Sequence, residues 1–206
     1  ELFDDCQREF SLDTVAMLGD QMLRCVEYVH SKGYLHRDIK PNNFTMGRGD
    51  DRRQVYMIDL GLAKRYLDEG SRHIQDRGGL PFVGTARYSS INAHLGKEQS
   101  RRDDLVSLGY VLAYFLEGRL PWQSLKAQAS SKYEWRKMVL EMKQQTPNKQ
   151  LCSELAPYLK HCERLQFKED PDYRHLRHLL SSFRQVDWPS SHCTQTLFDW
   201  ELPGSA

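Results

Sequence analysis

The chain has 206 residues, a net charge of +1 at pH 7, and 39% hydrophobic and 28% charged residues. A chain of this length forms one domain or two small ones, and it buries roughly 70% of the surface that its unfolded form exposes. It can therefore build a core without disulfides or a structural metal. The nearly neutral charge gives no global electrostatic reason to expect nucleic acid or an anionic membrane as a partner.

Cysteine usage and hydropathy indicate the compartment. The cysteines are odd in number and widely spaced, without a Cys-x-x-Cys pair, which favours reduced thiols over a disulfide framework or a zinc site. They are Cys6, Cys25, Cys152, Cys162 and Cys193. The longest apolar run is too short to cross a membrane, and no signal peptide is visible. We expect a cytoplasmic or nuclear protein that makes no contact with membranes.

The first predicted helix begins after Ser11, which has the side chain of an N-cap, and ends at Gly33. Apolar residues recur along it at spacings of three and four, as on one face of a helix; they are Val15, Leu18, Met22, Val26 and Val29. Residues 55–58 are apolar, three of them β-branched or aromatic, and they follow the polar turn at 47–54. They predict one strand of a hairpin that ends at Asp59.

Residues 68–84 have glycines, charges and no periodicity, which predicts a long loop, and loops of that length are usually functional. After Ser100 the sequence is apolar on all sides of a predicted helix, which is typical of a buried central helix, until residues 120–122 break it. Further helical patterns cover 132–143, 151–165 and 173–183. We expect residues 1–206 to form a mainly α, single domain with a small β-hairpin.

Two short motifs indicate chemistry. Residues 36–43 read HRDIKPNN, and residues 59–61 read DLG; in this order they are typical of a eukaryotic protein kinase. Asp38 is the candidate base for the acceptor hydroxyl, and Lys40 can reach the transferring phosphoryl group. Asn43 and Asp59 offer the oxygen ligands that Mg²⁺ prefers. A lone HRD triplet is often a surface turn, which does not account for all four residues at this spacing.

Two further residues are candidates for supporting the catalytic loop. Thr85 lies in the sequence GTARY at 84–88, where a kinase has its substrate-docking loop, and we expect it to pack against the catalytic loop. Asp104, at the start of the central helix, would brace that loop from below. An aspartate is also favoured at this place by the helix dipole alone, which is compatible with the same role.

Residues 84–125 resemble the casein kinase I family. Ser90-Ile91-Asn92 stands where most other protein kinases have Ala-Pro-Glu, and this replacement is specific to that family. The resemblance covers essentially the whole chain, from just after the family's hinge. Tau-tubulin kinases and vaccinia-related kinases match residues 84–125 less well. Other segments that carry the resemblance are residues 43–47, 98–104, 171–173 and 198–200.

The resemblance implies the C-terminal lobe of a serine/threonine kinase that uses ATP and Mg²⁺. It implies protein substrates with acidic or already phosphorylated Ser/Thr contexts, and a monomer. The resemblance also implies two anion pockets, and the residue types agree with this, since Arg binds phosphate in a bidentate manner and Lys adds a point charge. The first comprises Arg87, Gln123, Ser124 and Lys132; the second comprises Arg37 and Lys64. Lys64 and Lys132 are equally well explained as solvated surface charges.

Several features depart from the family pattern. Leu60 replaces a phenylalanine, and we expect it still to fill an apolar slot. Leu80 replaces a lysine of the second pocket, and Ser124 replaces a glycine of the first. The amino-terminal β lobe, with its glycine-rich loop and lysine, is absent from the sequence, so we expect little activity from this chain and an open apolar cleft floor. The alternative function is a non-catalytic, pseudokinase-like module that binds phosphorylated or acidic partners.

Overall fold

The computed structural model describes residues 2–182 and 197–202, and it is mainly α with four short strands. The helices are α1 (Leu2–Asp5), α2 (Leu12–Ser31), α3 (Ile91–His94), α4 (Arg101–Glu117), α5 (Lys132–Gln145), α6 (Asn148–Leu151), α7 (Ala156–Arg164) and α8 (Tyr173–Ser181). The strands are β1 (Tyr34–Leu35), β2 (Phe44–Met46), β3 (Val55–Met57) and β4 (Lys64–Arg65). The mainly α fold class expected from the sequence is confirmed.

Helices α2 and α4 pack together at the centre of the core. Ser11 caps α2 as predicted, and its Oγ accepts a hydrogen bond of 3.2 Å from the amide of Thr14. Before the first turn of α4, the backbone amide of Ser100 donates to the carboxylate of Asp103 at 2.8 Å. The C-cap of α4, Gly118, has the left-handed conformation. It is buried along almost its whole length, which confirms the predicted central helix.

Two small antiparallel sheets connect the catalytic loop to the core. In the predicted hairpin, β2 pairs with β3, with Phe44 opposite Met57. The second sheet was not anticipated: β1 pairs with β4, with Leu35 opposite Lys64. Since β1 precedes residues 36–43 and β4 follows residues 59–61, the second ladder brings the ends of both motif segments together.

The helix predicted over residues 151–165 begins only at Ala156, as α7, because Leu151 is the last residue of α6 and residues 152–155 separate the two helices. Pro157 lies in the first turn of α7. Proline is favoured there because its missing amide would have no helical partner, and it disfavours continuation from the preceding residue. Residues 68–84 contain no helix, as predicted. Two positions named above, Phe183 and Cys193, lie outside the described residues.

Within residues 2–182 and 197–202, no helix is long and apolar enough to cross a membrane.

Candidate active site

The backbone of the HRD segment is anchored by Asp104, a buried residue in the first turn of α4. Its two carboxylate oxygens accept hydrogen bonds from the backbone amides of His36 and Arg37, each at 2.8 Å. His30 of α2 adds a third contact through Nε2, also at 2.8 Å. These bonds hold Arg37 at φ 64°, a left-handed conformation that a residue with a side chain adopts only when its surroundings fix it.

The charge of Asp104 is stabilised although the group is buried. Burial alone would raise its pKa, but the hydrogen bonds from His30 and from the amide of His36 outweigh this and hold the pKa of Asp104 below its usual value. A buried carboxylate that accepts several hydrogen bonds remains ionised. The catalytic loop is thus bound to a fixed negative charge at the start of α4.

Asp38, the candidate base, is 7% exposed, and both of its carboxylate oxygens have partners. Oδ2 lies 2.6 Å from Nζ of Lys40, and Oδ1 accepts a hydrogen bond of 2.7 Å from Oγ1 of Thr85. Nδ2 of Asn43 donates to the backbone carbonyl of Asp38 at 2.9 Å. The structure therefore brings the three candidate catalytic residues and Thr85 into one cluster.

The two candidate metal ligands lie on adjoining backbone segments. The amide of Ile58 donates to the carbonyl of Asn43 at 2.9 Å, which places the next residue, Asp59, beside the catalytic loop. Asp59 has φ 61°, and its carboxylate accepts from the amide of Gly61 at 3.1 Å. Because Nδ2 of Asn43 donates its hydrogen bond to the carbonyl of Asp38, Oδ1 of Asn43 is the atom that remains available to a cation. Amide and carboxylate oxygens fit Mg²⁺.

The DLG triplet is at the surface in this chain. Leu60 was expected to fill an apolar slot, but 57% of it is exposed. Ile58 and Leu62 are also exposed, at 45% and 42%. The open apolar face expected on the cleft floor is present.

The second anion pocket differs from the expectation. Nζ of Lys64 lies 2.7 Å from Oε1 of Glu98, and Nε of Arg77 lies 2.8 Å from Oε2 of the same carboxylate. Burial would raise the pKa of Glu98, but these two cations hold it below its usual value. The charge of Lys64 is therefore already paired with a buried carboxylate. Arg37 donates from Nε to the carbonyl of Leu62 at 2.8 Å.

Sequence reasoning missed Arg77 and Glu98 in this cluster. They are separated along the chain, and no local spacing relates them to each other or to Lys64. Only the fold of residues 68–84 brings Arg77 to Glu98. The cluster of Arg37, Lys64 and Arg77 around Glu98 retains an excess of positive charge.

Arg87 of the first anion pocket has contacts at both its side chain and its backbone. Its guanidinium lies over the rings of Tyr88 and Tyr114, 5.8 and 5.9 Å from their centroids. Its backbone carbonyl accepts a hydrogen bond of 2.7 Å from Nε1 of Trp122. Trp122 belongs to a 3₁₀ segment, Pro121–Ala127, so this bond ties Arg87 to the segment that also contains Gln123 and Ser124.

The remaining residues of this pocket lie on neighbouring segments. Helix α5 packs against Pro121–Ala127 and begins at Lys132, which is exposed. Ser124 is also exposed, whereas Oε1 of Gln123 accepts from the amide of Leu120 at 3.4 Å. The segments that carry these residues are thus neighbours, because the backbone of Arg87 is bonded to Trp122 and α5 packs against Pro121–Ala127. Part of the hydrogen-bonding capacity of Gln123 is used locally, and the shared pocket stays a prediction.

Comparison with protein-family models agrees with this geometry. The model of the protein kinase domain matches residues 1–187, which include both motif segments, the anchored loop and all the helices described above. The match extends over most of the chain. The chain therefore belongs to the protein kinase domain family.

Proposed function

We propose that this chain is the catalytic lobe of a casein kinase I-like serine/threonine protein kinase, which transfers the γ-phosphate of ATP to Ser/Thr residues of acidic or phosphorylated protein substrates. ATP and Mg²⁺ are the cofactors of that reaction. The proposed setting is the cytoplasm or the nucleus, with the protein acting as a monomer.

The observation that carries the proposal is the cluster around Asp38. Phosphoryl transfer requires positioning and charge neutralisation more than covalent chemistry by the protein. Asp38 is held by Lys40 and Thr85 at hydrogen-bond distance, where it can accept the proton of an incoming hydroxyl. Lys40 offers a cation to the transferring phosphoryl group. The oxygens of Asn43 and Asp59 would hold Mg²⁺, which would neutralise charge on the phosphates.

A largely apolar groove that also contains three arginines lies next to the catalytic loop and supports the substrate preference. It has a volume of about 590 Å³, which is in the range of ligand sites, and its lining includes Asn42 from the catalytic loop. Arg8, Arg48 and Arg87 also line it, against the single carboxylate of Asp4. An acidic or phosphorylated segment next to the acceptor residue would be attracted to this groove.

The proposal is tested by two measurements on the purified 206-residue chain. The first is Mg²⁺-dependent thermal stabilisation by ATP, with Asp59→Asn as control. The second is phosphate transfer to a serine peptide with a phosphoserine upstream, measured by mass spectrometry, with Asp38→Asn as control. We expect small signals that both controls abolish. Transfer that persists in Asp38→Asn would contradict the role given to Asp38.

The alternative, a module that binds phosphorylated partners without catalysis, is favoured by one observation. Leu60 of the DLG segment is exposed, whereas Arg87 is held by its contacts with Tyr88, Tyr114 and Trp122. Binding of the phosphopeptide, without any effect of ATP and Mg²⁺ on stability, would support this alternative. Loss of that binding in Arg87→Gln would locate the site.

A further inference from the structure

A buried lysine beneath the substrate-docking loop is not used by the proposed chemistry. Lys143, near the end of α5, is 4% exposed. Its Nζ donates to the backbone carbonyls of Ala86 and Ser89 at 2.9 and 2.6 Å. Among the residues that the structure describes, no carboxylate forms an ion pair with it.

This environment is unfavourable for a cation. Burial lowers the pKa of Lys143 well below its usual value. The rings of Tyr110 and Trp122 lie 4.7 and 4.9 Å from Nζ and compensate through their π faces. An apolar side chain of the same length would fill the space without desolvating an amine. Packing alone therefore does not explain a lysine at this position.

The segment that Lys143 holds also reaches the catalytic aspartate. The hydroxyl of Thr85 donates to Asp38, and the carbonyl of Thr85 accepts from the amides of Tyr88 and Ser89 at 2.9 and 3.0 Å. Residues 85–89 thus form a tight turn with Asp38 at one side and the Nζ of Lys143 at the other. If the carbonyls of Ala86 and Ser89 moved away from Nζ of Lys143, the turn would shift, and Thr85 and Arg87 would be displaced with it.

We propose that Lys143 is a positioning residue: its amine fixes the turn at residues 85–89, so that Thr85 meets Asp38 and Arg87 faces the groove. The anchoring of the turn stands by itself, whereas its effect on substrate binding rests on the proposed function. The substitution that tests it is Lys143→Met, which retains the length and apolar stem but removes the donors. Lys143→Arg retains donors and charge.

The measurement is amide hydrogen exchange, resolved by residue, in the full chain. The reporters are the amides of Tyr88 and Ser89, and the amides of Leu108 and Leu112 in the core of α4 report global opening. We expect Lys143→Met to speed exchange of the reporters by about tenfold, the effect of losing hydrogen bonds to the turn. Lys143→Arg should restore most of the protection.

A matched control lies on the same helix. Lys137 is mostly exposed, and its Nζ lies 3.9 Å from Oε1 of Glu141 in the same helix. Because this contact does not involve residues 85–89, Lys137→Met should leave hydrogen exchange in the turn unchanged. Equal acceleration of the reporters and of the α4 amides in Lys143→Met would mean a general stability role, and would overturn the proposal. Unchanged reporters would overturn it as well.

The outcomes remain informative if a variant fails to fold or if the chain proves inactive. If Lys143→Met does not fold, the comparison uses Lys143→Gln. Failure of both to fold would make Lys143 a residue of global stability and contradict the proposal.

Local loosening of the turn in a chain without phosphate transfer would preserve this inference while refuting the proposed function. With an active chain, binding of the phosphoserine peptide should weaken in Lys143→Met and recover in Lys143→Arg.

Discussion

At the scale of single residues, the catalytic loop depends on one carboxylate. Asp104 accepts hydrogen bonds from two consecutive amides and from His30, so three elements of the fold meet at its side chain. A neutral amide at this position would present an NH₂ group to at least one donor. Removal of one partner from such a buried charged network leaves the others unsatisfied.

We therefore expect Asp104→Asn to lower the free energy of unfolding by about 3–5 kcal/mol. The measurement is urea denaturation at pH 7, followed by circular dichroism. Asp20→Asn is the matched control, because Asp20 forms an exposed i,i+4 ion pair with Arg24 at 2.9 Å, and such pairs contribute roughly 0.5 kcal/mol or less. Equal losses in the two variants would contradict the anchoring role.

The pH dependence of the same variant gives an independent check. The folded pKa of Asp104 is below its unfolded value, so its contribution to stability is complete above the unfolded pKa, about 3.9, and is lost as pH falls below that value. The difference in unfolding free energy between the wild type and Asp104→Asn should therefore shrink below about pH 4. A constant difference from pH 7 to pH 3 would be inconsistent with this linkage.

His94 should add a second acid-sensitive contribution. Burial, and then the cation of Lys143, lower its pKa from 6.5 to about 4. The unfolded chain binds the proton more readily, so stability falls as pH drops from 6.5 toward 4, by at most about 3 kcal/mol. His94→Gln should flatten this part of the pH profile in urea denaturation. An unchanged slope between pH 6.5 and 4 would show that His94 is not buried as a neutral ring.

At the scale of elements, the close approach of α4 and α7 depends on a glycine. A Cβ at Gly109 would lie 2.5 Å from Cδ2 of Leu159 and 3.1 Å from Cε1 of Tyr158. Both neighbours are fully buried and have little room to move. Alanine would favour the helix by about 1 kcal/mol, but overpacking typically costs about 1–3 kcal/mol.

We expect Gly109→Ala to destabilise the protein by about 1–2 kcal/mol, since the steric cost exceeds the gain in helix propensity. Gly19→Ala in α2 is the comparison, because its nearest neighbours are methyl ends of Leu112 and Leu180 at 3.2 Å, which need to shift only slightly. Its stability should change less. Thermal unfolding of both variants measures the difference, and stabilisation by Gly109→Ala would contradict the packing described here.

Elements with strong local patterns could be predicted from the sequence. The apolar spacing after Ser11 and the all-round apolar pattern after Ser100 each predicted a helix. In both cases the positions of the apolar residues along the sequence show which faces of the helix are buried. The break at residues 152–155 was missed although Pro157 marked it. The pairing of Glu98 with Lys64 and the burial of Lys143 depend on long-range packing, and no local pattern encodes them.

At the scale of the whole molecule, the segments next to the two catalytic motifs expose several large apolar side chains. Several large apolar side chains of β1, β3 and the segment between β3 and β4 are exposed beside the catalytic loop. They are Tyr34, Tyr56, Ile58, Leu60 and Leu62. An apolar surface of this kind promotes association with other proteins or with a second copy of the chain. Its position around the DLG segment means that any covering partner would also affect Asp59.

Leu60→Ser should therefore reduce self-association of the chain, measured as the protein concentration at which light scattering begins to rise. Because Leu60 is 57% exposed, the free energy of unfolding should change by only about 0.5 kcal/mol. Leu95→Ser is the matched control, because Leu95 is 46% exposed and belongs to a different element as the C-cap of α3. If both variants shift the onset of scattering equally, general surface hydropathy governs association. A shift in Leu60→Ser alone would assign association to the open face beside the catalytic loop.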